Sequence, residues 1–362
     1  MVRPLDREHL RAAQREIEAL NEDGFRVVAV AYKAMSPGRS AYGVADEAEL
    51  VLLGCVAFLD PPKDSAREAL ALLAASGVVV KVLTGDGEAV TRKVCRDVGL
   101  DPGAVLLGSA LEQLSDAQLA EAAARTAVFA KLTPEHKARV VQALRARGHV
   151  VGFLGDGIND SPALKAADVG VSVDTAVDIA KESADIILLE RSLLVLHQGV
   201  REGRRIVANI AKYLRMGASS NFGNMLSVLV ASLALPFLPM APLQILANNL
   251  LYDLSQAAIP TDRVDEADLA SPHSWEVGHL WRYMLTLGPV SSLFDLLTFA
   301  VLWWGFQAAT DPALFQTGWF VESLLTQTLI IHILRTRGIP FVDSGASPAL
   351  LLTTVAVAGV GL

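Results

Sequence analysis

Apolar and polar residues follow one pattern in the first half of the chain. Through residue 189, short apolar runs alternate with amphipathic stretches; the clearest runs are at 25–32, 50–59, 78–83, 128–130, 150–154, 169–173 and 185–189. Short apolar runs bounded by turn residues predict strands, and the longer stretches between them predict helices. Strands that alternate with helices predict an α/β fold with a doubly wound parallel sheet.

A second pattern begins after a basic helical stretch at 198–215. Five long apolar segments follow, at about 216–238, 243–259, 283–306, 319–334 and 348–362. Segments of this length can span a bilayer. Lys and Arg precede the first segment and lie in the loops near 263–282 and 335–337, whereas the loop at 307–318 has none, which fits the positive-inside rule. A water-soluble protein with buried helices is the alternative. The number of segments and the alternating loop charge favour an α-helical transmembrane bundle, with residues 1–196 in the cytoplasm.

Composition narrows the class of protein. Apolar residues make up 52% and charged residues 19%, which excludes a disordered chain. The net charge of −8 gives no reason to expect nucleic-acid binding. Cys55 and Cys95 form no paired motif, so we expect a reducing compartment and no structural zinc. Both cysteines are placed in apolar surroundings and are predicted to be core thiols.

The most informative turn follows the apolar run at 150–154 and reads Gly155-Asp156-Gly157-Ile158-Asn159-Asp160. A strand ending at Leu154 would bring Asp156 and Asp160 to its carboxyl edge, where open α/β sheets bind ligands. Two carboxylates this close repel each other unless a cation lies between them. The turn therefore predicts a Mg²⁺ site.

Two further signals lie upstream of this turn. Thr84-Gly85-Asp86 directly follows the run at 78–83, and Lys137 lies in the segment 131–137 that opens a helix. Alone, Thr84 could be a helix N-cap and Lys137 a solvated surface charge. Together with the carboxylate turn, they supply a hydroxyl and a lysine for phosphate oxygens beside a Mg²⁺ site, which predicts phosphoryl transfer. The chain has no G-x-x-x-x-G-K-[ST] loop, so a P-loop enzyme is excluded.

T-G-D, the helix-borne lysine and G-D-G-x-N-D, in this order, resemble the phosphorylation domain of P-type cation-transporting ATPases, which are members of the haloacid dehalogenase superfamily. The D-P-P-K sequence at 60–63 resembles the hinge through which that family's chain re-enters the phosphorylation domain. Gly24-Phe25-Arg26 resembles the end of its nucleotide-binding domain. The resemblance implies three parts: the end of a nucleotide-binding domain (1–58), a haloacid dehalogenase-like phosphorylation domain (59–196), and a stalk with transmembrane helices (197–362).

The resemblance also implies a role toward ATP or Mg²⁺ for each polar residue of these motifs. The residues implied to act on the phosphoryl group are Thr84, Gly85, Asp86, Lys137 and Asn159. Asp156 and Asp160 are implied to organise Mg²⁺. The residues implied to contact the nucleotide are Arg26, Thr84, Asp86 and Lys137.

Polar residues inside the apolar segments form a second group of candidates. Asn221 and Asn224 are three residues apart, and Asn249 and Asp253 are four apart, so each pair shares a helical face. Intramembrane polar groups are costly and point to function. Amide oxygens with a single carboxylate suit a hard cation such as Mg²⁺. Glu322 could line the same ion pathway or only face a neighbouring helix, while Asp295 is predicted to pair structurally.

The sequence NNLLYDLSQ at 248–256, followed by Ile259-Pro260, resembles the bacterial magnesium-transporting branch of the family. Asn224 stands where calcium pumps usually carry an acidic residue. The resemblance implies ATP-driven Mg²⁺ import across the bacterial inner membrane through a phospho-aspartate intermediate. A P-type ATPase for another cation such as Ca²⁺, or a non-catalytic truncated membrane partner, stays open.

Two motifs of the family are not found in the chain. It contains neither D-K-T-G, which carries the phosphorylated aspartate, nor T-G-E, which belongs to the dephosphorylating domain. We therefore expect a C-terminal part of a longer pump. It would be inactive alone and would need the missing N-terminal part as its partner, together with ATP, the transported cation and a lipid bilayer.

Overall fold

The structure is a computed structural model that describes residues 6–35, 43–59, 61–190, 192–272, 277–336 and 338–362. Asp60 of the predicted hinge and Arg337 of a predicted cytoplasmic loop lie outside the described residues. The chain forms two compact units, Met1–Gln198 and Gly199–Leu362. We call them the N-terminal unit and the C-terminal unit.

The N-terminal unit alternates strands and helices, as the apolar pattern predicts. Its strands are β1 (Arg26–Tyr32), β2 (Val51–Phe58), β3 (Val82–Leu83), β4 (Val105–Leu107), β5 (Val128–Ala130), β6 (Gly152–Leu154), β7 (Val169–Val173) and β8 (Ile186–Leu188). Its helices are α1 (Arg7–Glu22), α2 (Ala66–Ala75), α3 (Glu88–Asp97), α4 (Gly108–Leu111), α5 (Asp116–Arg125), α6 (Pro134–Ala146), α7 (Ser161–Ala166) and α8 (Asp178–Glu182). The elements β4, α4 and α5 were not predicted from the sequence.

Strands β1 and β2 form an antiparallel hairpin of their own. Arg26 pairs with Phe58 and Tyr32 with Val51, with a register shift after Val30. Cys55, opposite Ala29, is exposed. The prediction that Cys55 is a core thiol was therefore wrong, because this two-stranded sheet leaves most of its side chains exposed. Cys95 is buried as predicted.

The other six strands are parallel, but they form two sheets rather than the single sheet predicted. The strand orders are β3-β5-β4 and β6-β7-β8, so β3 and β6 are edge strands. Leu83 and Val151 each pack against both hydrophobic clusters of this region, one around Phe129 and one around Phe153. The edges of the two sheets therefore share one core.

The α-helices of the rest of the chain, within the described residues, are α9 (Leu193–Ala234), α10 (Pro242–Gln256), α11 (Glu266–Ala270), α12 (Val277–Ala300), α13 (Pro312–Leu334) and α14 (Pro348–Gly361). A π-helical turn, Val301–Gly305, continues α12. The predicted basic stalk and first apolar segment are one continuous helix, α9. Helix α9 crosses α12 closely, since a Cβ on Gly223 would lie 3.0 Å from the carbonyl oxygen of Gly288.

Within the described residues, one helix, Leu280–Gly305, is long and apolar enough to cross a membrane by length and composition. The other four apolar segments are helical, and Pro348–Gly361 is a shorter apolar helix. The five-span bundle therefore stays a prediction.

A buried ionic cluster joins four segments of the C-terminal unit at Asp262. The Asp262 carboxylate accepts hydrogen bonds from Arg335 Nε (2.9 Å) and Nη2 (3.0 Å), Lys212 Nζ (3.2 Å) and the Ser347 backbone N–H (3.1 Å). Burial raises the pKa of Asp262, but these donors lower it more, so the net pKa lies below its ordinary value. We call Asp262, Lys212, Arg335 and Ser347 the Asp262 cluster.

Candidate functional site

The turn that follows β3 is closed by its own side chains. The Thr84 backbone N–H donates to the Phe129 carbonyl (3.0 Å) and extends the β3–β5 pairing. Thr84 Oγ1 donates to Asp86 Oδ2 (2.9 Å) and accepts from the Asp86 backbone N–H (3.1 Å). This loop holds the threonine hydroxyl at the carboxyl end of β3.

Two backbone hydrogen bonds fix the same turn to the segment that leads into α6, the helix that carries Lys137. The Lys131 N–H donates to the Asp86 carbonyl (2.9 Å), and the Leu132 N–H donates to the Thr84 carbonyl (3.0 Å). Lys131 has a φ of 53°, in the left-handed region that few non-glycine residues adopt. Sequence reasoning missed Lys131, because its residue type carries no signal for this conformation.

Lys137 and Asp160 form a nearly buried ion pair between α6 and the turn after β6. Lys137 Nζ lies 2.7 Å from Asp160 Oδ1, and the two side chains are 13% and 12% exposed. Asp160 Oδ2 accepts the Gly157 backbone N–H (3.1 Å). A Cβ on Gly155 would lie 2.5 Å from Asp160 Cβ, so only glycine fits there. The turn thus places one carboxylate directly against the lysine.

The two carboxylates of this turn have different surroundings. Asp160 is committed to Lys137 and to the turn, whereas Asp156 and Asn159 are exposed at the same edge. Within the described part of the chain, no group of three or more His, Cys, Asp or Glu could hold a metal ion. One exposed carboxylate still fits Mg²⁺, which proteins often bind through one or two carboxylates and complete with phosphate oxygens and water.

The structure therefore gathers part of the predicted site. The hydroxyl of Thr84, the ammonium of Lys137 and the carboxylates of Asp156 and Asp160 lie at carboxyl ends of the parallel strands β3 and β6 or on the helix tied to them. Arg26 lies exposed at the start of β1, and no hydrogen bond to the site is seen for it in the described residues.

The C-terminal unit contains a cavity of about 290 Å³ between α9, α10 and α13. The polar residues lining it are Asn221, Asn224, Asn248, Asn249 and Ser323. Three of these asparagines were predicted. Asn248, 3% exposed, donates through Nδ2 to Ser323 Oγ (3.1 Å). Ser323 was missed, since a lone serine in an apolar helix gives no signal.

The predicted carboxylates lie away from the asparagines. Asp253 is exposed on α10 and does not line the cavity. Glu322 lines a separate groove of about 550 Å³ and interacts with Asp295. Asp295 accepts hydrogen bonds from Ser227 Oγ (2.5 Å) and Trp319 Nε1 (3.0 Å), so it pairs structurally as predicted. Asp253 and Glu322 stay predictions as ion ligands.

Comparison with known proteins gives matches to both units. The haloacid dehalogenase-like hydrolase family matches residues 7–168, and the family described as cation transporting ATPase, C-terminus, matches residues 237–362. The chain is 57% identical to Magnesium-transporting ATPase, P-type 1, of Escherichia coli (strain K12), over 99% of the chain and 40% of that protein. Its counterpart in Salmonella typhimurium (strain 14028s) is 56% identical over the same shares.

A more distant relative is the Calcium-transporting ATPase of Bacillus subtilis (strain 168). It is 37% identical over 65% of the chain and 27% of that protein. The chain spans about 40% of the length of the magnesium-transporting relatives.

Proposed function

The chain belongs to the P-type cation-transporting ATPases, and we propose that it is the C-terminal part of a bacterial pump that moves Mg²⁺ across the inner membrane. The observation that carries the proposal is that one chain has both Lys137, Asp160 and Thr84 at the strand ends of its N-terminal unit and an asparagine-lined cavity in its C-terminal unit. The first suits phosphoryl transfer and the second suits a hard cation.

At the strand edge, each described residue has a task that its contacts support. Lys137 and the Thr84 hydroxyl would hold oxygens of the transferred phosphoryl group, because Thr84 lies at the carboxyl end of β3 and Lys137 reaches the turn after β6 from α6. Asp160 would hold Lys137 in place, and Asp156 would bind Mg²⁺. When bound, Mg²⁺ supplies positive charge against the phosphate oxygens.

The nucleophile would come from a segment that this sequence does not contain. Apolar side chains in or just before the edge strands β3 and β6 are uncovered: Val79, before β3, is 78% exposed, Val150, before β6, is 86% exposed, and Leu154 of β6 is 38% exposed. Unpaired strand edges are normally covered or charged. A strand that lies between β3 and β6 would join the two parallel sheets into one. Its carboxyl end would meet Thr84 and Lys137, as the attack of a carboxylate on phosphate requires.

The cavity supports Mg²⁺ as the transported ion. Its lining offers neutral amide and hydroxyl oxygens, which suit a hard cation that keeps part of its hydration shell. Two relatives that are 57% and 56% identical to this chain over 99% of its length are named for magnesium transport. ATP would be hydrolysed on the cytoplasmic side, with the C-terminal unit in the lipid bilayer and import as the direction.

The test uses the intact pump containing this sequence, reconstituted in lipid vesicles. We expect ATP-dependent Mg²⁺ flux, read by an indicator dye, together with phosphate release. Lys137→Met should abolish both signals, whereas Lys165→Met, at an exposed lysine of α7, should leave them unchanged. Flux of Ca²⁺ but not Mg²⁺ would instead establish a pump for another cation. Absence of ATP-dependent phosphate release would leave a non-catalytic membrane partner.

A further inference from the structure

Buried polar atoms without a hydrogen-bond partner among the described residues all lie in the C-terminal unit. They are ten side-chain atoms, on Asn209, Ser219, Ser220, Asn248, Tyr252, Gln256, Glu322, Gln327 and His332. Buried polar groups in folded proteins are almost always paired with protein or with bound water. The unpaired groups in this unit therefore indicate that a ligand or bound water supplies their hydrogen bonds.

The unpaired groups on α10 share one face of that helix. Asn248, Tyr252 and Gln256 follow one another at intervals of four residues, so they form a row. They are 3%, 2% and 2% exposed. From Asn248 to Gln256 the row is about 12 Å long, at 1.5 Å per residue.

Helices α9 and α13 bring polar groups to the same row. Ser323 Oγ accepts from both Asn248 Nδ2 (3.1 Å) and Gln327 Nε2 (2.6 Å), and Gln327 Oε1 is left unpaired. The Tyr252 hydroxyl lies beside Ser220, although neither group satisfies hydrogen-bond geometry.

The apolar contacts of Tyr252 confirm that the helices converge here. Tyr252 packs in one buried cluster with Met216 of α9, Ile331 of α13 and Leu350 of α14. We call the polar residues that α9, α10 and α13 bring together here the polar seam; they are Ser220, Asn248, Tyr252, Gln256, Ser323 and Gln327.

The two ends of the polar seam differ. At one end, Asn248 and Ser323 line the asparagine cavity. Beyond Gln256 the chain leads to Asp262, where one carboxylate meets the two cations Lys212 and Arg335. Asp265 also interacts electrostatically with Lys212, so that end is a network of paired charges.

These features indicate which ligand the polar seam binds. Beyond the cavity a metal cation is disfavoured, because the unpaired atoms of Gln256 include its amide nitrogen, a hydrogen-bond donor that cannot ligate a cation. Water can donate to the amide and hydroxyl oxygens and accept from the amide nitrogens, which a cation cannot do. We propose that the polar seam holds a file of water molecules that extends from the asparagine cavity toward the Asp262 cluster. Given the proposed function, this file would supply and remove hydration water as Mg²⁺ enters and leaves the cavity.

Hydroxyl-radical footprinting of the chain in detergent tests the water file without any transport activity. Radicals formed from bound water oxidise adjacent side chains, even where bulk solvent has no access. Tyr252, at 2% exposed, is the reporter; Phe315, at 0% in the same unit, is the dry control, and Tyr213, at 45%, is the exposed control. Rates are normalised to those of the unfolded chain.

We expect Tyr252 to be oxidised several-fold faster than Phe315 and nearly as fast as Tyr213. A rate for Tyr252 equal to that of Phe315 would overturn the proposal. A second measurement is the melting temperature of Gln256→Met. A hydrated seam loses water contacts, so melting should occur at a lower temperature; a rise would show that the glutamine is unpaired in a dry core, which also contradicts the proposal. Neither result depends on ATP hydrolysis, so failure here leaves the proposed function standing.

Discussion

Neutralising Asp262 should destabilise the C-terminal unit more than any change to a surface charge. In Asp262→Asn the side chain keeps its shape, but the two buried cations Lys212 and Arg335 lose the carboxylate to which both are hydrogen-bonded. Their side chains are 5% and 2% exposed, so water cannot take the place of the carboxylate.

The contacts of Asp262 set the size of the effect. The carboxylate accepts four hydrogen bonds of 2.9 to 3.2 Å, three of them from cations. Removing one partner of a buried ion pair costs roughly 3–5 kcal/mol, because the remaining charge stays buried and uncompensated. The N–H groups of an asparagine amide would also face the N–H donors that now bind the carboxylate, so hydrogen bonds would be lost. We therefore expect a loss within that range.

The assay is denaturant-induced unfolding of the chain in detergent, followed by tryptophan fluorescence. Glu266→Gln is the matched control, since Glu266 pairs with Arg201 at 3.1 Å in the same unit but is 78% exposed. An exposed pair contributes about 0–1 kcal/mol. If Asp262→Asn and Glu266→Gln lower the free energy of unfolding equally, the Asp262 cluster does not stabilise the unit as argued.

Three further changes have defined outcomes. Gly155→Ala places a methyl group 2.5 Å from Asp160 Cβ, so it should abolish phosphate release by the intact pump; unchanged activity would refute the packing argument. Asp168 has a pKa below its ordinary 3.8, first because its carboxylate accepts a backbone N–H. The stability that the Asp168 carboxylate contributes to the folded state is fully present above pH 3.8 and is lost as the pH falls from 3.8 through the lower pKa of the folded protein. Asp168→Asn should therefore make the free energy of unfolding depend less on pH between these two values. Gly223→Val should lower the melting temperature by overpacking, at a cost of roughly 1–3 kcal/mol, whereas Gly217→Val on the same helix meets nothing within 4 Å and should not.

Sequence reasoning located Thr84, Asp156 and Asp160 because the turns that contain them follow apolar runs directly. Thr84 and Asp160 could be placed at strand ends from local pattern alone. The pairing of Asp160 with Lys137 joins residues 23 apart in sequence, and no local pattern encodes a contact of that range. The division of the predicted sheet into two likewise depends on what pairs with the edges of β3 and β6.

The helical candidates show a second limit of sequence reasoning. Asn248 and Asn249 are adjacent and chemically identical, but neighbouring positions point about 100° apart around a helix. Pattern alone favoured the face of Asn249 and Asp253. Tertiary packing buries the face of Asn248, Tyr252 and Gln256 instead, so the unpaired polar row was not foreseen.

The contrast between the two cysteines has a practical consequence. Burial raises the pKa of the Cys95 thiol, despite the opposing charge of Arg92, so little reactive thiolate forms there at neutral pH. Cys55 is exposed on the hairpin. A thiol-directed fluorophore should therefore attach to this chain at one natural position. It would report on the movement and unfolding of the hairpin without any engineered residue.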